Sequence, residues 1–181
     1  GDENRFPFGA FLSWRNLWHS YGNIQAYALM TAGELMDRQE YIESALLEID
    51  HFYPYLAKDD IPRAFTLEYK ENDYYIKNSF DKTQIAYDFR PMIWACAKAF
   101  SITGEDKYLH QAMDIAKWFA GNNIAGHMMY NPENGICYDG IISETEVNLN
   151  SGAESTIEAL LAFQMLEKFS EYIDITSIYD E

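Results

Sequence analysis

The chain has 181 residues, 48% of them hydrophobic and 16% aromatic, which supplies a sizeable core for one domain and excludes a disordered polymer. Thirteen Lys and Arg stand against 29 Asp and Glu, a formal net charge of −16. That field repels phosphate backbones and anionic membrane surfaces, so neither nucleic acid nor membrane is an expected partner, while a neutral substrate is indifferent to it.

Cys96 and Cys137 form no CxxC pair and no dense disulfide framework. A reduced, cytoplasmic compartment is the expectation, with one bridge as an option. No run approaches the ~18 apolar residues of a membrane helix, and none opens the chain as a signal peptide. The first residues, GDENRF, lack an initiator Met and read as those of a processed or truncated chain.

Residues 14–36 predict one long helix, with Leu17, Tyr21, Ile24 and Ala28 on a stripe and Trp18 beside it. Gly22 within it implies a close contact. Residues 39–53 predict a second helix, with Ile42, Ala45, Leu46, Ile49 and Tyr53 on one face and Pro54 near its end. Residues 63–80 change period. Phe65, Leu67 and Tyr69 alternate, Glu71-Asn72-Asp73 turns, and Tyr74 and Ile76 alternate again, so a β-hairpin insert is expected.

Residues 81–104 predict a third helix ended by Gly104, with Pro91 marking either its start or a kink. Residues 105–123 predict a fourth, with Tyr108, Ala112, Ile115 and Phe119 on one face. The segment 122–150 is a long loop with turns at Asn131-Pro132 and Asn134-Gly135, and its apolar content argues for order. Residues 151–169 predict a fifth helix, apolar on nearly all sides from Ile157 to Leu166 and therefore expected to be deeply buried. TAGELMDRQEYIESA and SITGEDKYLHQAMDIA repeat one phrase: helix, Gly, acidic turn, aromatic-led helix. Repeated helix pairs point to a toroid or solenoid of α-hairpins.

At TGEDKYLHQAMDIAKWFAGNN, NPENGICYDGI and NLNSGAESTIEALLAF, the chain resembles the C-terminal part of six-hairpin, α/α-toroid sugar-processing proteins. The resemblance covers roughly residues 81–168 well and 11–57 more loosely. It implies concentric helices whose inner ends and loops build a carbohydrate-binding bowl. A complete toroid needs twelve helices, and this chain has length for five or six. The expected fold class is therefore all-α, a partial toroid with a small hairpin insert, over residues 1–181 as one domain.

Glycoside hydrolysis needs two carboxylates, roughly 5 Å apart for retention and about 6.5–9.5 Å for inversion. Glu154 has two readings. Ser151-x-x-Glu154 spells a capping box, and the helix N-terminus favours the carboxylate form, which works against a general acid. The resemblance instead implies a late acidic residue serving as general acid, and Glu154 holds a comparable place. Asp139, in CYDGI, is either an Asp-Gly turn or a loop carboxylate aimed into the bowl. Asp88, two residues before Arg90, is either an ion-pair or cap residue or a third catalytic candidate.

Trp14, Trp18 and Tyr21 fall at helical spacing with Arg15 and His19 interleaved, which suits core packing or a sugar subsite. Tyr138 and Asn150, both in the long loop, complete the expected substrate-binding set. No phosphate loop, GxGxxG or GxSxG occurs, the four histidines lack metal spacing, and DGIISETE departs from the calcium-loop register. No cofactor or metal is expected.

The function expected is carbohydrate processing, most simply glycoside hydrolysis. The alternatives are a non-catalytic sugar-binding or assembly domain, and a lyase or epimerase using Tyr or His as base. Carbohydrate is the expected partner. Because a half-toroid leaves helix faces uncovered, self-association or packing against a missing N-terminal half is expected too.

Overall fold

The structure, a computed structural model, describes residues 2–58 and 62–180. The chain forms two compact units, Gly1–Lys82 and Thr83–Glu181.

The first unit contains β1 (Leu17–His19), α1 (Ile24–Met36), α2 (Gln39–Leu47), a π-helical turn (Glu48–Phe52) and α3 (Tyr53–Lys58). It ends with β2 (Ala64–Lys70) and β3 (Asp73–Ser79). The helix expected from Trp14 begins only at Ile24. Residues 17–19 are instead a strand, paired antiparallel with β2 in the register Leu17↔Thr66, Trp18↔Phe65, His19↔Ala64. Trp18 is 1% exposed and stacks on Phe65 with ring centroids 5.0 Å apart. Burying that indole against a partner distant in sequence outweighs a local helical period.

Gly22 has the close contact its position implies, since a Cβ there would meet Ser13 Oγ at 2.6 Å. The core of the unit is Ala26, Met30, Ala45, Ile49, Phe52, Tyr53, Leu56 and Phe65, all almost fully buried. β2 and β3 are joined at Glu71-Asn72, both left-handed (φ 56° and 66°), the backbone of a two-residue hairpin turn.

The second unit contains α4 (Ala86–Thr103), α5 (Lys107–Ala116) and α6 (Ala153–Glu167). The segment read as a long loop holds two short hairpins: β4 (Tyr130–Asn131) with β5 (Ile136–Cys137), and β6 (Gly140–Ser143) with β7 (Glu146–Asn148). A 3₁₀ turn, Ile175–Tyr179, follows α6. α4 starts before Pro91, at Ala86, and carries the core through Phe89, Met92, Ile93, Ala95, Cys96, Ala97 and Ala99.

α6 departs from its expected all-round burial. Ser155, Glu158, Ala159, Ala162 and Leu166 are buried, while Ile157 is 52% and Leu160 44% exposed. α6 packs chiefly on α4 and so covers one stripe, leaving its apolar opposite side at the surface. Among the described residues, no helix is long and apolar enough to cross a membrane.

Candidate functional site

The candidate residues fall in both units. In the first, Trp14 is 67% and Tyr21 45% exposed, and the Arg15 guanidinium lies 5.5 Å from the Trp14 ring centroid. The His19 Nδ1 accepts the Tyr21 backbone N–H at 3.1 Å, and the two rings stand 4.4 Å apart. Burial, aided by the Arg63 charge, holds His19 below the usual histidine range. Trp18 does not join this surface group: the strand turns it into the core.

In the second unit the acidic candidates gather around two helix starts. Asp88 is 2% exposed, and its Oδ2 accepts the Ile85 N–H at 2.9 Å. It is the third residue of α4 and reaches back to cap the helix's own entry. The cap reading of Asp88 is thus realised, and the Arg90 guanidinium pairs with Glu158.

Asp139 caps a helix it does not belong to. Its Oδ1 accepts the Gly152 N–H at 2.7 Å and lies 2.8 Å from the Ser155 hydroxyl. The same hydroxyl stands 3.1 Å from the carbonyls of Cys137 and Gly152. It has one proton to give, and the carboxylate is the strongest of the three acceptors. The Asp139 N–H donates to Asn150 O at 2.8 Å, so Asn150 and Tyr138 flank the same carboxylate through the backbone. The Tyr138 ring lies 5.6 Å from that of His127.

The Asp-Gly turn read at Asp139-Gly140 is a different device. Gly140 opens β6, and a Cβ on it would meet Gln84 O at 2.7 Å and Ile85 Cγ2 at 2.8 Å. Glycine is needed for close approach: Gln84 and Ile141 exchange backbone hydrogen bonds of 2.9 and 2.8 Å there. This junction sets the Asp139 loop beside the segment that enters α4 at Asp88. Gln84 is itself held by the Trp118 indole N–H at 2.8 Å.

Glu154 is an exposed residue in the first turn of α6. The Ser151–Glu154 capping box does not form. The residue preceding the helix is Gly152, and the carboxylate at this entry is that of Asp139. Asp139 and Glu154 therefore belong to one helix start, the first bonded into it and the second exposed upon it.

One buried polar pair had no signal in the sequence. Arg90 Nε donates to Glu158 Oε2 at 2.5 Å and Nη2 to Oε1 at 3.3 Å, joining α4 to α6. The guanidinium also lies over Trp94, 4.7 Å from its ring centroid. Glu158 sits one turn after Glu154 on α6, so its ion pair fixes how that helix presents Glu154. Among the described residues, no group of three or more His, Cys, Asp or Glu is placed to hold a metal ion.

No family model and no curated protein matches the chain. Solved structures do. A family 76 glycoside hydrolase from a bovine Bacteroides thetaiotaomicron strain is similar at TM-score 0.61 and 14% identity, over 90% of this chain and 33% of that one. A family 76 mannosidase from Bacteroides thetaiotaomicron is similar at TM-score 0.63 and 12% identity, over 94% and 45%. An inactive variant of an α-1,6-mannanase of Salegentibacter, solved in complex with α-1,6-mannotriose, is similar at TM-score 0.58 and 15% identity, over 89% and 44%. The chain thus shares the fold of part of these six-hairpin, α/α-toroid structures. The chain spans between a third and a half of the length of these structures.

Proposed function

We propose that this chain is one part of a carbohydrate-processing α/α toroid, glycoside hydrolase-like, acting on α-mannosides. The supporting observation is its likeness, over 89–94% of its length, to family 76 structures, one of them solved with α-1,6-mannotriose. On this reading the carboxylates at the α6 start are the reacting groups. Asp139 is held in one orientation by two donors, and Glu154 stands exposed beside it. Asp88, sealed and committed to Ile85, positions α4 and does not meet substrate. Exposed Trp14 and Tyr21 offer aromatic faces to sugar rings. The exposed Ile157 and Leu160 of α6 are the surface that the remainder of a complete toroid covers.

Hydrolysis of α-1,6-mannotriose by the 181-residue chain, with binding followed in parallel by calorimetry, is the test. Turnover that Glu154→Gln abolishes at unchanged melting temperature supports the proposal. Binding without turnover favours the second reading, a non-catalytic sugar-binding part, which the partial coverage of the related structures also supports. Neither binding nor turnover overturns both.

A further inference from the structure

The hairpin β2–β3 has a feature that sugar chemistry does not use. β3 is the last strand of the order β1-β2-β3, and every residue from Tyr74 to Ser79 is exposed. A strand exposed on both faces at a sheet edge is a template for another strand.

The register says which groups it offers. Lys70 and Asp73 close the two-residue turn, so they form a hydrogen-bonded pair, and the pattern alternates from there as far as Ile76, after which a β-bulge leaves Lys77 without a register partner on β2. Tyr75 then bonds inward to Glu68, while Tyr74 and Ile76 turn their backbone groups outward. Consistent with this, the Tyr74 N–H finds a side chain, Asp73 Oδ1 at 2.9 Å, in place of a strand.

The side chains say what the edge fits. Tyr74 and Ile76 share one face with Leu67 and Tyr69, and the Tyr69 and Tyr74 rings stand 4.9 Å apart. Asp73, Tyr75 and Lys77 share the other face with Glu68, which pairs with Lys77 at 3.6 Å. Charge argues that a second copy is tolerated here. The chain carries −16, but residues 64–79 hold two Lys against three acidic residues, so 2 − 3 = −1. The hairpin is thus close to neutral, so two such acidic chains repel only weakly there.

We propose that β3 docks a second copy of this chain, β3 against β3, antiparallel about a two-fold axis at Tyr75. This register sets Asp73 opposite Lys77 of the second copy and Lys77 opposite its Asp73, two opposite-charge pairs from one symmetric contact. It also sets Tyr74 opposite Ile76 twice on the apolar face and matches outward-turned backbone groups to each other. The neighbouring two-fold register, about Ile76, leaves Lys77 against Tyr75 and Asp73 against Ser79 and makes no charge pair. Lys at an edge ordinarily repels another strand; here it meets an aspartate. The overlap of five residues is small, so the dimer depends on concentration.

Sedimentation velocity of the 181-residue chain over a concentration series reads this directly. The dimer fraction is expected to rise with concentration and to fall at least tenfold in association constant for Lys77→Asp. The double change Asp73→Lys with Lys77→Asp restores both pairs with reversed sign and is expected to recover the dimer. Ile76→Pro removes an outward donor without touching the β2 ladder. It is expected to give a monomer with unchanged circular dichroism, which separates loss of docking from loss of fold. A monomer at every concentration overturns the proposal. So does a dimer insensitive to Lys77→Asp and Ile76→Pro but abolished by Ile157→Glu, because that result places the contact on α6.

Discussion

Each unit buries a glutamate on a helix and deals with it differently. Glu158, 7% exposed in the second unit, meets the Arg90 guanidinium through two hydrogen bonds. Glu48, 2% exposed in the π-helical turn of the first unit, has one hydrogen bond, from the Phe11 N–H at 2.7 Å. Its other oxygen has no hydrogen-bond partner among the described residues. Burial pushes the Glu48 carboxyl up to about 8, against the lowering effect of that N–H, so it is protonated at neutral pH. One unit neutralises its buried acid with a second charge and the other with a proton. The first solution depends on keeping its partner, and the second depends on pH.

The largest expected effect breaks the first solution. Arg90→Ala leaves Glu158 buried and unpaired between α4 and α6, and is expected to cost about 3–5 kcal/mol in urea unfolding. Arg90→Ala with Glu158→Leu, which removes both charges, is expected to recover much of that loss.

The second prediction uses pH. The folded-state value of Glu48, about 8, lies above its unfolded value of 4.5. Its contribution to stability is therefore fully present below pH 4.5 and is lost as pH rises through 8, on the order of a few kcal/mol in all. Glu48→Gln mimics the protonated acid. Thermal melts between pH 5 and 9 are expected to decline for the unaltered chain and to flatten in this variant. An unchanged slope would show that another group carries it.

Smaller effects separate the two capping aspartates. Asp88→Ala strands a buried N–H, so a loss of about 1–3 kcal/mol is expected. Asp139→Asn keeps an acceptor at a less buried helix start, and about 1 kcal/mol or less is expected. If Asp139 also reacts with substrate, its loss of turnover will far exceed that cost. The smallest stability effect belongs to Glu154→Gln, within about 0.5 kcal/mol, because an exposed side chain away from packing contributes little. A loss above 1 kcal/mol would return Glu154 to a structural role.

Much of the fold was legible because it is local. The period of Ile42, Ala45 and Ile49 describes a helix within one window, and their burial agrees with it. Glu71-Asn72 between alternating runs lies at the observed hairpin turn. The fourth helix was readable for the same reason: Tyr108, Ala112 and Phe119 are buried and Ile115 half-buried, although the α-helix ends at Ala116 and Phe119 lies in the 3₁₀ turn after it.

The candidate site was legible only as a set of residue types. The sequence determined that acids and aromatics stand at loop and helix boundaries, because those boundaries are spelled by neighbours in the chain. Contacts across long separations decided what each one does. Trp18 became core because a strand formed with residues 64–66, against its own helical spacing. Asp139 became the cap of a helix that starts 14 residues later, displacing the box that Ser151 and Glu154 spell locally. Arg90 found Glu158 across 68 residues, with Asp88 two positions away as the nearer acid. α6 is apolar nearly all round by sequence, yet what it buries depends on which helices lie against it, and they cover only the stripe through Ala159 and Ala162. Local pattern determines the conformation a segment prefers, because the competing hydrogen bonds lie within a few residues. Burial and partnership are set by surfaces that meet only after folding, and only the tertiary structure holds that information.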